Sequence, residues 1–142
     1  MIVIPLQAHA LTISPVKMEL SGDGGQTLTD EIRLFNEQDE TKVLYSSVEN
    51  FEARGETGAP FFLPEKVGLA TWVKIEEQII LAPKEEKTIP FTIQIPKDAE
   101  PGGYFSAILW GTTPPQSTKG GQVAVGGRIG ILVLLKVSGQ VE

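Results

Sequence analysis

Cysteine is absent from the 142 residues, so disulfides, thiolate metal sites and cysteine nucleophiles are excluded whatever the redox state of the compartment. Histidine occurs once, at His9 in a short apolar opening. That leaves the body of the chain without an imidazole for a Ser-His-Asp triad or a typical zinc site. Positive charge is sparse as well. Twelve basic against 18 acidic side chains give a net charge of −6, and Lys17, Arg33, Lys42, Arg54 and Arg128 stand singly. A basic stripe able to track phosphates is missing, which argues against nucleic acid as a partner. No apolar run approaches the roughly 18 residues of a membrane span; the longest, Ile129 to Leu135, stops at Lys136. No membrane span is expected within this chain, and an anchor would belong to a longer parent protein. A helical period is nowhere sustained for three turns.

What is present reads as one globular domain. With 41% hydrophobic and 21% charged residues, folding should remove about 70% of the unfolded chain's surface from water. No metal staple or cofactor is called for. The opening, MIVIPLQAHA, is apolar and ends in Ala8-His9-Ala10, the small-x-small pattern of a signal-peptide cleavage site. It lacks a charged start and its apolar part is short, so residues 1–10 are read either as a signal remnant or as a first strand. On the first reading the domain covers 11–142, is exported, and works outside the cell or at its surface.

The richest stretch runs from Trp72 to Gly111, read as three consecutive strands. Within it Ile89, Phe91, Ile93 and Ile95 alternate with Thr88, Pro90, Thr92 and Gln94, the period-two pattern of a strand with one buried face. Asp98, Pro101, Gly102 and Gly103 then supply a turn before Tyr104 starts the next strand. Pro90 marks its strand as an expected sheet edge, since proline cannot donate to a ladder. Leu11 to Leu20 is expected to bulge or switch sheets at Pro15. Thr27 to Asn36 puts Leu28, Ile32 and Leu34 on one face, and Val43 to Phe51 gives a further strand. Glu52 to Thr71 shows no clear period and is read as a long loop. Gly127 to Val137 is apolar on both faces, as a central strand should be. The count is seven, and short strands with turn chemistry between them predict an all-β, immunoglobulin-like, seven-stranded antiparallel β-sandwich.

Several of these pieces resemble a known family. Ile13-Ser14-Pro15-Val16, Leu34-Phe35-Asn36, Trp72-Val73-Lys74-Ile75, Leu81-Ala82-Pro83-Lys84-Glu85 and the block from Ile95 to Tyr104 are similar to the N-terminal, peptidoglycan-binding domain of the WxL-interacting surface proteins of Gram-positive bacteria. The resemblance spans about Leu11 to Val137 and implies an exported wall-binding module; a second domain and an anchor, usual in that family, are not in this chain. The layout also looks like the first domain of periplasmic pilus chaperones. Those hold a subunit's C-terminal carboxylate with basic residues on the first and last strands. Lys17 and Lys136 are the only residues in rough position, so the implied kinship is one of fold.

Candidate partner-binding residues follow from aromatic side chains and from loops. Trp72, Phe61 and Phe62 are candidates for stacking on a sugar ring or contacting a peptide, whereas Trp110 shares parity with Tyr104 and Ile108 and is read as core. The connection from Thr112 to Gly126, rich in Pro, Gly and Ser, is read as a partner-facing arm offering Thr112, Gln116 and Lys119. The paired acids Glu76-Glu77, Glu85-Glu86 and Asp39-Glu40 sit at turns or on solvent faces, and Asp23-Gly24-Gly25 lacks the further oxygen ligands of a calcium loop. No catalytic, cofactor-binding or metal-binding residue is assigned. The expected function is a non-enzymatic cell-surface binding or spacer module, with cell-wall glycan as partner. The alternative is a protein-interaction domain, chaperone-like or an adhesin, for another surface protein, acting by strand addition or through the 112–126 arm.

Overall fold

The computed structural model describes residues 11–54, 59–62, 67–112 and 128–139, with side chains described outside 52–54 and 59–62. The readings of 1–10 as a leader and of the arm beyond Thr112 lie outside the described residues. The strands are β1 (Leu11–Ser14), β2 (Lys17–Gly22), β3 (Thr27–Asn36), β4 (Lys42–Arg54), β5 (Ala59–Phe62), β6 (Val73–Ile75), β7 (Gln78–Leu81), β8 (Glu86–Gln94), β9 (Gly102–Gly111) and β10 (Ile129–Val137). A one-turn helix, α1 (Leu69–Trp72), precedes β6.

Two sheets face each other. The first has the order β1-β3-β8-β6, and the second β2-β10-β9-β4-β5 with β7 also on β4. Every pairing is antiparallel except β2 with β10. That exception follows from the first segment. It leaves β1 at Pro15, crosses to the other sheet, and continues in the same direction as β2. Each of the seven expected segments contributes strand to this immunoglobulin-like sandwich, but two of them, Leu11 to Leu20 and Trp72 to Leu81, are divided between the sheets, and β5 is an addition.

Between the sheets, alternate residues form one core: Ile32, Leu34, Ile89, Phe91 and Ile93 from the first sheet meet Leu44, Ile108, Trp110, Ile131, Val133 and Leu135 from the second. Trp110 is only 1% exposed, as its parity requires.

Four expectations need correction. Trp72 does not begin a strand; it ends α1, and β6 starts at Val73. The run Trp72 to Leu81 is not one strand either, because β6 pairs β8 in the first sheet whereas β7 pairs β4 in the second. Glu76 and Glu77, both exposed, form the crossing. The 52–71 stretch is not all loop, since β5 returns along β4 with Phe62 opposite Phe51.

The fourth correction concerns Pro90. Its strand, β8, lies inside the first sheet between β3 and β6, yet the proline obeys the edge rule locally. Ile95 donates its N–H to the Gln26 carbonyl on the β3 side, so by alternation odd residues of β8 face β3 and Pro90 faces β6. The β6 register ends with Ile75 opposite Phe91. No ladder bond is asked of position 90.

Candidate functional site

The two outer faces of the sandwich differ sharply in chemistry. On the first sheet, outward positions include Thr12 and Ser14 of β1, Thr27, Thr29, Glu31 and Arg33 of β3, Thr88 and Gln94 of β8, and Lys74 of β6, all exposed, with Thr92 and one large apolar residue, Phe35, half-buried among them. This is the solvated face that an antiparallel sheet packed on one side should show. On the second sheet the positions alternating with the core residues of β9 and β10 include Phe105, Ala107, Leu109, Leu132 and Leu134. Phe51 of β4 joins them, its ring 5.9 Å from that of Phe105. Phe51, Ala107 and Leu109 form a buried cluster separate from the main core, with Leu132 packed against it. Phe105 stays 42% exposed, so the apolar stripe opens to solvent on the β2 side.

At that open end lies a groove of about 480 Å³, lined by Glu19, Leu20, Ser21, Gly102, Gly103, Phe105, Leu134, Leu135 and Lys136. Register explains its shape. Leu134 lies between Glu19 on β2 and Phe105 on β9, and Lys136 lies between Ser21 and Gly103. Small residues on the lower row leave space beside large apolar ones on the upper row. Gly102 has a φ of 141°, a backbone state that L side chains rarely adopt. Lys136 is exposed at the rim, and Lys17 and Glu19 form an ion pair of 3.2 Å beside it.

The far end of the same face is polar and held internally. The Arg128 guanidinium donates to the Tyr45 carbonyl at 2.9 Å and to Ser47 Oγ at 3.3 Å. Partial burial lowers its pKa from the ordinary value and the Glu49 carboxylate opposes that shift. The cation is therefore a brace between β10 and β4.

A second cavity, about 760 Å³, opens where β6 and β7 part, between Tyr45, Ser46, Val73, Lys74, Glu77 and Gln78. Its walls are tied together by Ser46, whose Oγ donates to the Glu76 carbonyl at 2.6 Å and whose N–H donates to the Glu77 carbonyl at 2.9 Å. Lower on β4, Asn50 Nδ2 donates to the Val67 carbonyl, and Asn50 Oδ1 accepts from Ala70 N–H and Ser106 Oγ. This side of the sandwich is built as a closure. No group of three or more His, Cys, Asp or Glu side chains suited to a metal ion occurs among the described residues, and no helix among them is long and apolar enough to cross a membrane.

The residues singled out from the sequence are dispersed. Trp72 packs at the sandwich end with its ring 4.8 Å from that of Tyr104, and Tyr104 in turn donates its hydroxyl to the Glu100 carbonyl at 2.6 Å. Phe61 and Phe62 lie on β5, paired with Glu52 and Phe51. Thr112 is exposed just after β9; Gln116 and Lys119 lie outside the described residues. Lys17 pairs with Leu132, four positions from Lys136 along β10, a separation of about 13 Å at roughly 3.3 Å per residue, so the two lysines do not converge on one carboxylate. The apolar outer face was missed. Its signal was present in Phe105, Ala107 and Leu109, which share a parity that a solvated sheet would fill with polar residues.

No protein-family model matches the chain, and no curated protein sequence does. Solved structures do. The chain is similar to the PapD-like domain 7 of human CEP192, with 11% identity over 99% of this chain and 96% of that one at a TM-score of 0.58. It is similar to a chain of the CsuC-CsuE chaperone and tip adhesion subunit complex of Acinetobacter baumannii, with 9% identity, 92% and 58% coverage and a TM-score of 0.59. It also resembles part of a family 123 glycoside hydrolase from Clostridium perfringens, with 12% identity and a TM-score of 0.60, covering 88% of this chain but 23% of the enzyme. The chain thus spans somewhat over half of the matched pilus-complex chain and under a quarter of the hydrolase. These neighbours establish a PapD-like, immunoglobulin-like fold.

Proposed function

We propose that this chain is a non-enzymatic protein-interaction domain that holds a partner polypeptide against the outer face of its second sheet. The observation that carries the reading is the asymmetry of the two faces: threonine and charge on one, Phe105, Leu132 and Leu134 on the other. Apolar residues at outward strand positions lose their reason unless something covers them. The groove between Leu20, Phe105 and Leu134 fits a large apolar side chain, with Glu19 and Lys136 at its rim for polar contacts. The partner chemistry this favours is an extended segment with bulky apolar residues at alternate positions. Support by analogy comes from the pilus complex, in which a chaperone of this fold class is assembled with a tip adhesion subunit. Export and a place at the cell surface belong to the same proposal, on the strength of the signal-like opening.

Two binding assays test it together. The full chain is offered a phage-displayed peptide library and, separately, insoluble peptidoglycan sacculi with competing muropeptides. Selection of peptides with alternate bulky residues supports the proposal. Saturable, competed retention on sacculi with no peptide selected would replace it with the wall-binding reading.

A further inference from the structure

The edge of β2 points to a partner that the outer face does not specify. β2 ends the second sheet, with β10 as its neighbour among the described residues. The Leu132 N–H bonds the Val16 carbonyl at 3.0 Å and the Ser138 N–H bonds the Gly22 carbonyl at 3.0 Å. Even-numbered residues of this segment therefore turn their backbone groups toward β10. By alternation Lys17, Glu19 and Ser21 turn theirs outward, leaving a row of donors and acceptors open to another strand.

The side chains along this edge are arranged symmetrically about Met18 in type, with the charges opposed. Apolar Val16 and Leu20 lie two positions away on either side, and Lys17 and Glu19, of opposite charge, lie one position away. In an antiparallel pair of two such edges centred on Met18, Lys17 lies opposite the second copy's Glu19 and Glu19 opposite its Lys17. Val16 lies opposite its Leu20. Those charged positions are the ones whose backbone groups point outward, so the centred register also forms two bonded pairs of the antiparallel ladder. Centring on Glu19 would instead set two carboxylates face to face, which is unfavourable. Val16 is 72% exposed in the single chain and would be covered. Lysine on an edge strand ordinarily discourages pairing; with a glutamate two residues on, it becomes complementary to its own copy.

We propose that two copies of this chain associate through their β2 edges, in the Met18-centred antiparallel register, to make one continuous sheet across a two-fold axis. The two apolar faces then lie side by side on one surface. The inference stands on the edge alone and holds whether or not those faces bind a polypeptide.

The test is sedimentation velocity on the full chain at concentrations up to about 1 mM, the weak end of specific association. Wild type is expected to show a concentration-dependent dimer. Glu19→Lys or Lys17→Glu alone makes both cross-strand pairs repulsive and should raise the dimer Kd by roughly tenfold or more. The double swap Lys17→Glu with Glu19→Lys restores opposite charges and should restore the dimer, while refusing to pair with wild type. Unchanged thermal melting of each variant keeps the comparison on association. A chain that stays monomeric throughout, or a dimer that tolerates either single change, overturns the proposal.

Discussion

Replacing Asn36 with alanine should cost about 3 kcal/mol, because this one side chain joins the two turns at the top of the sandwich. Asn36 is fully buried. Its Nδ2 donates to the Glu40 carbonyl at 2.8 Å and the Ala82 carbonyl at 3.0 Å, and its Oδ1 accepts from the Gln38 N–H at 3.0 Å. A longer approach of 3.4 Å to the Leu81 carbonyl is too weak to count. Three bonds at about 1 kcal/mol each give the figure, and with the specific entropies of domains this size the melting point should fall by about 10 °C. Urea unfolding measures it, with an unchanged m-value as the sign that the folded state keeps its extent. Asn36→Asp sharpens the test. The carboxylate still accepts from Gln38 but faces two carbonyl oxygens, so burial and those dipoles raise its folded pKa above the unfolded value of about 3.9. Below that pH the neutral carboxyl, with one O–H in place of two N–H donors, gives up one of the two carbonyl bonds, about 1 kcal/mol; the ionisation penalty adds to this as pH rises from the unfolded pKa to the folded one and is complete above it. An alanine variant within about 0.5 kcal/mol of wild type, the range of an ordinary surface change, would refute the reasoning.

Two further outcomes follow from contacts of single residues. A Cβ at Gly130 would lie 1.9 Å from the Ile108 carbonyl oxygen, so Gly130→Ala must push β10 off β9 and should destabilise by about 3 kcal/mol or more in urea unfolding. Trp72→Ala removes a half-buried ring that packs on Tyr104 and should lower stability by about 2 kcal/mol, less than the 3–5 of a fully buried tryptophan, while leaving any retention on sacculi unchanged.

How much of this was legible in the sequence depends on whether the deciding interaction is local. The alternation in Thr27 to Asn36 and in Thr88 to Ile95 is a property of each strand, and both strands sit where it places them. The sheet switch at Pro15 was readable because proline interrupts the ladder in either sheet. The switch between β6 and β7 was not, since Val73-Lys74-Ile75 and Gln78-Ile79-Ile80-Leu81 are each strand-like and only Glu76-Glu77, with no proline or glycine, separates them. Pro90 misled because the edge rule acts on one residue's neighbour, and β6 stops one residue short of it. Gly130 shows a glycine in the sequence but not the carbonyl that makes it necessary. The outer face of the second sheet was hidden for a related reason. Apolar residues on both sides of Gly127 to Val137 announce a central strand, and that reading accounts for the inner parity of β10 while leaving Leu134, and Phe105 beside it on β9, unexplained.

The most direct measurement compares the two faces against the same ligand. Peptides selected on the wild-type chain are titrated calorimetrically into Phe105→Glu, on the second sheet, and Thr88→Glu, on the outer face of the first. The account predicts that the charge at position 105 abolishes binding and the charge at position 88 leaves it intact. Undiminished affinity in Phe105→Glu, or equal loss in both, would contradict the assignment of the second sheet as the protein-contact face.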